Sequence, residues 1–155
     1  MLSPVSDETL DQWRTLARQV SDALNFAGVS AYLAWDDWNQ PGARVEVDAG
    51  DDEAGGVFVN WLPSSQLYEN VLDDTKSGRQ STPAHNLFGA VATHMQRAII
   101  GILVDSGFDA VPFNDWMNPP SVHVLRRTEG RLFLRSRPPS ATPTQRRRGP
   151  LRRPP

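Results

Sequence analysis

Three short runs of alternating apolar and polar residues lie between two longer stretches in which apolar residues recur every three or four positions. The alternation is typical of a strand with one wet face, and the wider spacing is typical of an amphipathic helix. Helices and strands of this kind each need a partner face for their apolar residues. The pattern therefore predicts an α+β domain.

The first helix is predicted to begin near Ser3 or Ser6, either of which can cap it, and to end at Gly28. Pro4 suits a first helical position, because a proline there loses no helical hydrogen bond. One apolar stripe runs along the predicted helix. Its members are Leu10, Trp13, Ala17, Val20 and Leu24.

The three strand runs cover residues 31–36, 44–48 and 57–62. Pro41 and Gly42 stand where a type II turn needs them, so we expect the first two strands to be antiparallel. Short connections then make a three-stranded meander. The alternation places Trp35 and Trp61 on the inward face, in the core.

Further helices and strands follow the meander. Ser64 or Ser65 can cap a short helix, and Thr82 with Pro83 opens the longest one. Residues 122–126 and 131–135 flank a tight turn and predict a C-terminal hairpin. The predicted order is α-β-β-β-α-α-β-β, with a mostly antiparallel sheet packed by two main helices and one short helix.

The predicted core takes residues from both main helices and from the sheet. On the long helix, the predicted inward face contains Leu87, Val91, Met95, Ala98 and Ile102. The side chains expected to be buried together are Trp13, Val20, Leu24, Leu33, Val59, Trp61, Val91, Met95 and Ile102.

Charge divides the chain sharply. Residues 1–125 contain 17 acidic and 6 basic residues, whereas residues 126–155 contain 10 arginines and only Glu129 as an acid. Residues 137–155 include 6 prolines and 6 arginines. Such a segment buries too little apolar surface to offset its ordering entropy. We therefore expect one acidic domain over residues 1–136 and a disordered tail over residues 137–155.

Composition excludes several kinds of site. The chain has no cysteine, so disulfides, thiolate metal ligands and a cysteine nucleophile are absent. The first residues have no basic start followed by an apolar run, as a secretory signal would. The longest strongly apolar run, residues 98–104, falls well below the ~20 residues of a membrane span. A cytoplasmic protein is the expectation.

No motif indicates catalysis, a cofactor or a metal. Nucleophile elbows, phosphate loops and paired metal-binding histidines are missing from the sequence. His85, His94 and His123 lack ligand spacing, and the acidic loop at 48–53 lacks the spacing of a calcium loop. We therefore predict no cofactor and no metal site, and an enzyme is the less favoured class, although a site built from dispersed residues remains an alternative.

Tryptophan beside acidic residues in two predicted loops suggests a surface for a protein partner, because aromatic side chains anchor interfaces. The acidic residues would favour a partner with a basic surface. The candidate partner-binding residues are Asp36, Asp37, Trp38, Asp51, Asp52, Asp115 and Trp116. The alternative for the tryptophans is that they close the ends of the core.

The arginines of the tail form a second candidate surface. The candidates for weak polyanion contact are Arg146, Arg147, Arg148, Arg152 and Arg153. Arginine-rich arms bind phosphate backbones with little sequence reading, but they can equally touch an anionic membrane or fold back on an acidic body. The favoured function is protein–protein binding, as an adaptor, chaperone or antitoxin-like partner. A nucleic-acid-associated protein that uses the tail is the alternative, and the oligomeric state is left open.

Overall fold

The computed structural model describes residues 5–37, 39–50, 55–115 and 118–128. Three helices and five strands follow one another in the predicted order, and four of the five strands are joined by antiparallel pairing. The elements are α1 (Asp7–Phe26), β1 (Ala31–Leu33), β2 (Gly42–Asp48), β3 (Gly56–Leu62), α2 (Ser65–Lys76), α3 (Pro83–Asp105), β4 (Phe108–Phe113) and β5 (Ser121–Arg127). The α+β class and the mostly antiparallel sheet are confirmed.

Side-chain caps begin the helices where the sequence indicates. The hydroxyl of Ser6 accepts a hydrogen bond from the backbone of Thr9 at 3.2 Å, and that of Ser64 accepts from Leu67 at 3.3 Å. Thr82 caps α3 in the same way, and Pro83 follows it at the first helical position. Each cap satisfies a backbone N–H that the helix itself leaves without a partner.

The strands form one sheet in the order β1-β2-β3-β5-β4. The expected antiparallel pairing of the first two strands is wrong, because β1 pairs with β2 in parallel, with Ala31 opposite Ala43 and Leu33 opposite Val45. The eight residues between them fold back beside the start of β1, and the backbone N–H of Ala43 donates to Ser30 at 2.8 Å. Asn39–Gly42 is thus the end of a return loop, not a hairpin turn.

Gly42 allows this close return. Its φ is +126°, and a Cβ there would lie 2.6 Å from the carbonyl oxygen of Ser30. Residues with a side chain rarely adopt that φ, and no real Cβ sits so close to backbone oxygen. The glycine is therefore a requirement of the parallel β1–β2 pair.

Trp35 is not in the core, contrary to the prediction. The strand ends at Leu33, and the backbone N–H of Asp36 donates to the carbonyl of Leu33 at 3.0 Å, so Trp35 lies on a turn. Its side chain is 45% exposed, and the guanidinium of Arg18 lies 5.8 Å from the ring centroid. The turn interrupts the alternation that the prediction extended through residue 36.

The core lies between one face of the sheet and the helices α1 and α3. Its fully buried members include the predicted Val20, Leu24 and Val59. The other predicted residues that pack against it are partly buried, and these are Trp13, Leu33, Trp61, Met95 and Ile102.

The predicted inward face of α3 is wrong by a rotation about the helix axis. The buried stripe consists of Ala92, Gln96, Ile99 and Leu103. Val91 is half-buried and outside the core cluster, and Leu87 is 53% exposed. The polar Gln96 interrupts this stripe in the sequence, which made the neighbouring uninterrupted one look like the core face.

The C-terminal strand pair also differs from the prediction. β5 lies between β3 and β4, so both edges of residues 122–124 are already paired. The described antiparallel partner of β5 on its outer side is β4, not a later strand. β4 is an edge strand that contains Pro112, and a bulge interrupts its pairing between Asp109 and Ala110. Residues 131–135 and the predicted disordered tail lie outside the described residues.

Candidate functional site

The sheet face away from α1 and α3 carries a different set of side chains from the core face. Arg44 and Glu46 of β2, Phe58 and Asn60 of β3 and His123 of β5 alternate with buried valines, which points them to this second face. We call it the open face. Four of these residues, Arg44, Glu46, Phe58 and Asn60, form the floor of a groove.

The groove has a volume of about 670 Å³. One wall is α2, which contributes Tyr68, Glu69 and Leu72, and Phe88 of α3 extends it. The other walls are two loops, represented by Pro41 and by residues 118–120. This volume is in the range of cavities that hold small ligands or a few peptide side chains.

Carboxylates dominate the charge of the described lining. Four acids line the groove, and Arg44 is the basic residue beside them. The acids are Glu46, Asp48, Glu69 and Asp115. A concave surface with low-dielectric walls focuses the negative potential of these carboxylates, and that potential favours cations.

Contacts on the floor hold Glu46 in place. Its carboxylate lies 3.4 Å from the Arg44 guanidinium and accepts a hydrogen bond from Asn60 Nδ2 at 2.7 Å. Both partners come from β2 or the adjacent β3, so the carboxylate has a fixed direction. An acidic group held in this way is preorganised for a cationic ligand.

Aromatic rings cover the end of the floor nearest β4. The ring of His123 stacks on Phe58 with centroids 4.5 Å apart, and Phe113 meets Phe58 edge to face at 5.1 Å. Burial lowers the pKa of His123. A Cβ on Gly56 would lie 2.8 Å from Nε2 of His123, so the glycine leaves room for the imidazole.

Tyr32 closes the opposite end of the open face. It pairs with Arg44 across the parallel strands and donates its hydroxyl to the backbone carbonyl of Gln40. Burial raises the pKa of Tyr32, and the nearby Arg44 partly opposes that shift. The hydrogen bond ties the return loop before β2 to the sheet, and so positions the groove wall that contains Pro41.

Gln96 fixes the wall on the other side. From α3, its Nε2 donates to the carbonyl oxygen of Ser121 at 2.6 Å and to Oδ1 of Asn114 at 2.9 Å. These bonds satisfy a buried amide and hold both ends of the loop that joins β4 to β5. The sequence alone did not indicate this role, since a glutamine in an apolar stripe looks like an exposed position.

The structure brings parts of the two predicted tryptophan loops to the same groove. Asn39 and Pro41 from the first loop and Asp115 and Asn118 from the second line it. Asp36 and Asp37 are exposed and lie on the turn before the first of these loops.

The remaining predicted site residues lie outside the described residues. They are Trp38, Asp51, Asp52, Trp116, Arg146, Arg147, Arg148, Arg152 and Arg153. Much of the groove wall comes from residues that the sequence pattern did not indicate, chiefly Tyr68, Glu69 and Leu72.

A second polar cluster joins the end of α2 to the start of α3. Thr82 donates to the Asp74 carboxylate at 2.6 Å, and its oxygen lies 2.8 Å from Nδ1 of His85, while Thr75 Oγ1 lies 3.1 Å from Nε2. The hydrogen bond from Thr82, followed by the charge of Arg79, lowers the pKa of Asp74. These contacts hold the end of α2 against the start of α3. They explain the position of His85 as packing between two helices, with no ligand needed.

Over the described ranges, no group of three histidine, aspartate or glutamate side chains is placed to hold a metal ion. α3 is long and apolar enough to cross a membrane by length and composition. A core helix passes the same test, and α3 packs its buried stripe against the sheet. Its length and composition therefore do not distinguish a core helix from a membrane span.

Comparison of the chain with protein-family models, curated proteins and solved structures gives no match. The groove on the open face is the feature from which a function can be argued.

Proposed function

We propose that this protein is a binding domain that holds an extended, basic segment of another protein in the groove of the open face. The observation that supports the proposal is the combination of four carboxylates with exposed aromatic and apolar side chains on one concave surface. Arginine and lysine side chains match both properties, because their charged ends pair with carboxylates while their stems cover apolar surface.

The wall formed by α2 provides the apolar part of the site. Tyr68 is 44% exposed and Leu72 is 38% exposed, and they lie one helical turn apart. Glu69 stands between them in sequence on the same groove wall. A guanidinium can stack on the Tyr68 ring while it approaches Glu69, which combines a cation–π contact with an ion pair.

The floor provides the part of the site that selects charge. Glu46 is oriented by Arg44 and Asn60, and Asp48 lies two residues further along β2. Carboxylates that line a surface groove speed the encounter with a basic partner more than they add affinity. We therefore expect association to weaken as salt increases, with a smaller apolar contribution that persists.

The experiment uses a fluorescent synthetic peptide of alternating arginine and proline, with alternating glutamate and proline as its matched control. Fluorescence anisotropy should show binding of the basic peptide and none of the acidic one. Glu69→Lys should weaken binding by about tenfold or more, since it replaces attraction by repulsion. Asp22→Lys, an equal charge change on exposed α1, should leave binding nearly unchanged.

Tyr68→Ala tests the aromatic contribution, and Val104→Ala, at an exposed position of α3 outside the groove lining, is its control. Equal binding of the two peptides, or of the Glu69→Lys variant and the unchanged protein, would contradict the proposal. A fluorescent single-stranded oligonucleotide tests the alternative of polyanion binding by the tail. Its capture without peptide binding would favour that alternative.

A further inference from the structure

The chain contains a segment with the composition that the groove favours. Residues 137–155 contain 6 arginines, 6 prolines and no acidic residue. Proline-rich segments favour an extended backbone that loses little entropy on binding, and a guanidinium pairs well with carboxylates. The four carboxylates of the groove and the arginines of this segment are complementary in charge.

Chain length allows this segment to reach the groove within one molecule. The described chain ends at Thr128, whose backbone N–H donates to Gly107 at 2.8 Å, and the groove lies toward the Ser121 end of β5. The seven residues of β5 span about 23 Å at the usual rise of a strand. A fully extended chain of eight residues spans about 26–29 Å, so residues 129–136 are long enough to bring residue 137 to the groove.

Exposed apolar side chains lie on the sheet between Thr128 and the groove. Val111 of β4 is 37% exposed and Leu125 of β5 is 47% exposed, and both lie between the groove end of these strands and Thr128. Residues 132–134 are Leu, Phe and Leu. Covering Val111 and Leu125 with these residues would remove apolar surface from water on both sides.

We infer that residues 137–155 of the same molecule occupy the groove and compete with a partner for it. This inference rests on the proposed function, since it assigns an internal competitor to the same site. A tethered segment acts at an effective concentration on the order of millimolar, so even a weak contact occupies the groove appreciably. A partner must then displace this segment to bind.

The test compares the full chain with a full-chain variant in which Arg146, Arg147, Arg148, Arg152 and Arg153 are changed to Gln. A control for the loss of positive charge changes three exposed arginines of the domain to Gln, namely Arg14, Arg97 and Arg126. Amide resonances of Asn60, Tyr68 and Leu72 should differ between the unchanged chain and the tail variant. The arginine–proline peptide should bind the tail variant roughly tenfold more tightly than the unchanged chain, and the control variant like the unchanged chain.

The outcomes separate this inference from the proposed function. If the peptide binds the unchanged chain and the tail variant equally and the groove resonances coincide, the internal competitor is refuted while groove binding stands. If the peptide binds neither protein, the proposed function is refuted. If the resonance differences grow with protein concentration, the tail of a second copy is the occupant, and the inference of docking within one molecule is overturned.

Discussion

His123 stacks almost parallel on Phe58, with the ring planes 13° apart, beneath the groove of the open face. The two rings belong to paired residues of β3 and β5, so the contact joins the central strands on the side opposite the core. An imidazole in this position must either stay neutral or bring a charge against an aromatic ring in a partly dry site. Protonation of His123 would therefore place a charge against Phe58, which does line the groove.

We predict that the protein loses stability as the pH falls below about 6.5, the usual pKa of histidine. Burial lowers the pKa of His123 in the folded state, so the unfolded chain binds more protons in this range. Unfolding free energy should therefore decrease as the pH falls from about 6.5 toward the folded-state pKa. His123→Phe should reduce that slope, and His94→Gln, at an exposed position, should keep it. Urea unfolding at several pH values measures both; an unchanged slope in His123→Phe would exclude His123 as the cause.

A pair of substitutions in α3 checks which face of the helix is buried. Ile99 is fully buried, and Ile99→Ala should cost about 2–5 kcal/mol in unfolding free energy. Val91 is half-buried outside the core cluster, so Val91→Ala should cost about 1 kcal/mol or less. Urea denaturation of both variants gives the comparison. The reverse order would restore the helix orientation expected from the sequence.

That orientation shows where prediction from sequence succeeded and failed. Helix starts at Ser6, Ser64 and Thr82 follow from local hydrogen bonding of short side chains, and the sequence contains all of that information. The inward face of α3 cannot be read from local sequence in this way. Gln96 is acceptable in the core only when Asn114 and Ser121 accept its hydrogen bonds. Those partners are distant in sequence and meet it only in the folded chain.

The sheet and the groove show the same division. Alternation locates β2 and β3, but the parallel return of the chain beside Ser30 depends on the close approach at Gly42. The sequence pointed to the loops around residues 36–42 and 114–121, and Asn39 and Asp115 do line one groove. It did not indicate Tyr68, Glu69 or Leu72, since an exposed helix face looks the same whether or not a groove lies beside it.

Gly42→Ala should destabilise the protein more than Gly28→Ala. Both glycines have positive φ, but a Cβ at residue 42 would meet the Ser30 carbonyl, whereas one at residue 28 would meet nothing within 4 Å. Gly28→Ala should cost about 1–2 kcal/mol, from the backbone conformation alone, and Gly42→Ala should cost clearly more. Thermal unfolding of the two variants is the measurement. Equal losses of stability in the two variants would mean that the return loop shifts to accommodate the added Cβ at little cost.

Gln96→Leu should loosen the groove as well as the core. The substitution removes the donor that serves Ser121 and Asn114, and leaving a buried acceptor without a partner costs about 1–3 kcal/mol. Residues 114 and 115 should then exchange amide protons faster, and the arginine–proline peptide should bind more weakly. Gln12→Leu, on the exposed side of α1, is the control. A lower unfolding free energy with unchanged peptide binding would show that Gln96 does not maintain the shape of the groove.

The double substitution Trp38→Ala with Trp116→Ala tests the candidate partner surface. Both residues lie outside the described residues, but Asn39 and Asp115, their neighbours in sequence, line the groove. Loss of two aromatic anchors should weaken peptide binding by about 2 kcal/mol or more without unfolding the domain. Anisotropy and circular dichroism report the two effects. An unfolded variant would indicate that these tryptophans belong to the core. Binding at full strength would indicate that the binding surface does not include them.

The two edges of the sheet limit how another chain can attach. β1 is only three residues long, and β4 carries Pro112, which has no N–H to offer, together with the bulge at Asp109 and Ala110. Strand addition needs a long, regular row of backbone donors and acceptors, and among the described strands neither edge supplies one. A partner strand would therefore find few backbone groups to pair with at either described edge, and the proposed binding in the groove does not require strand addition.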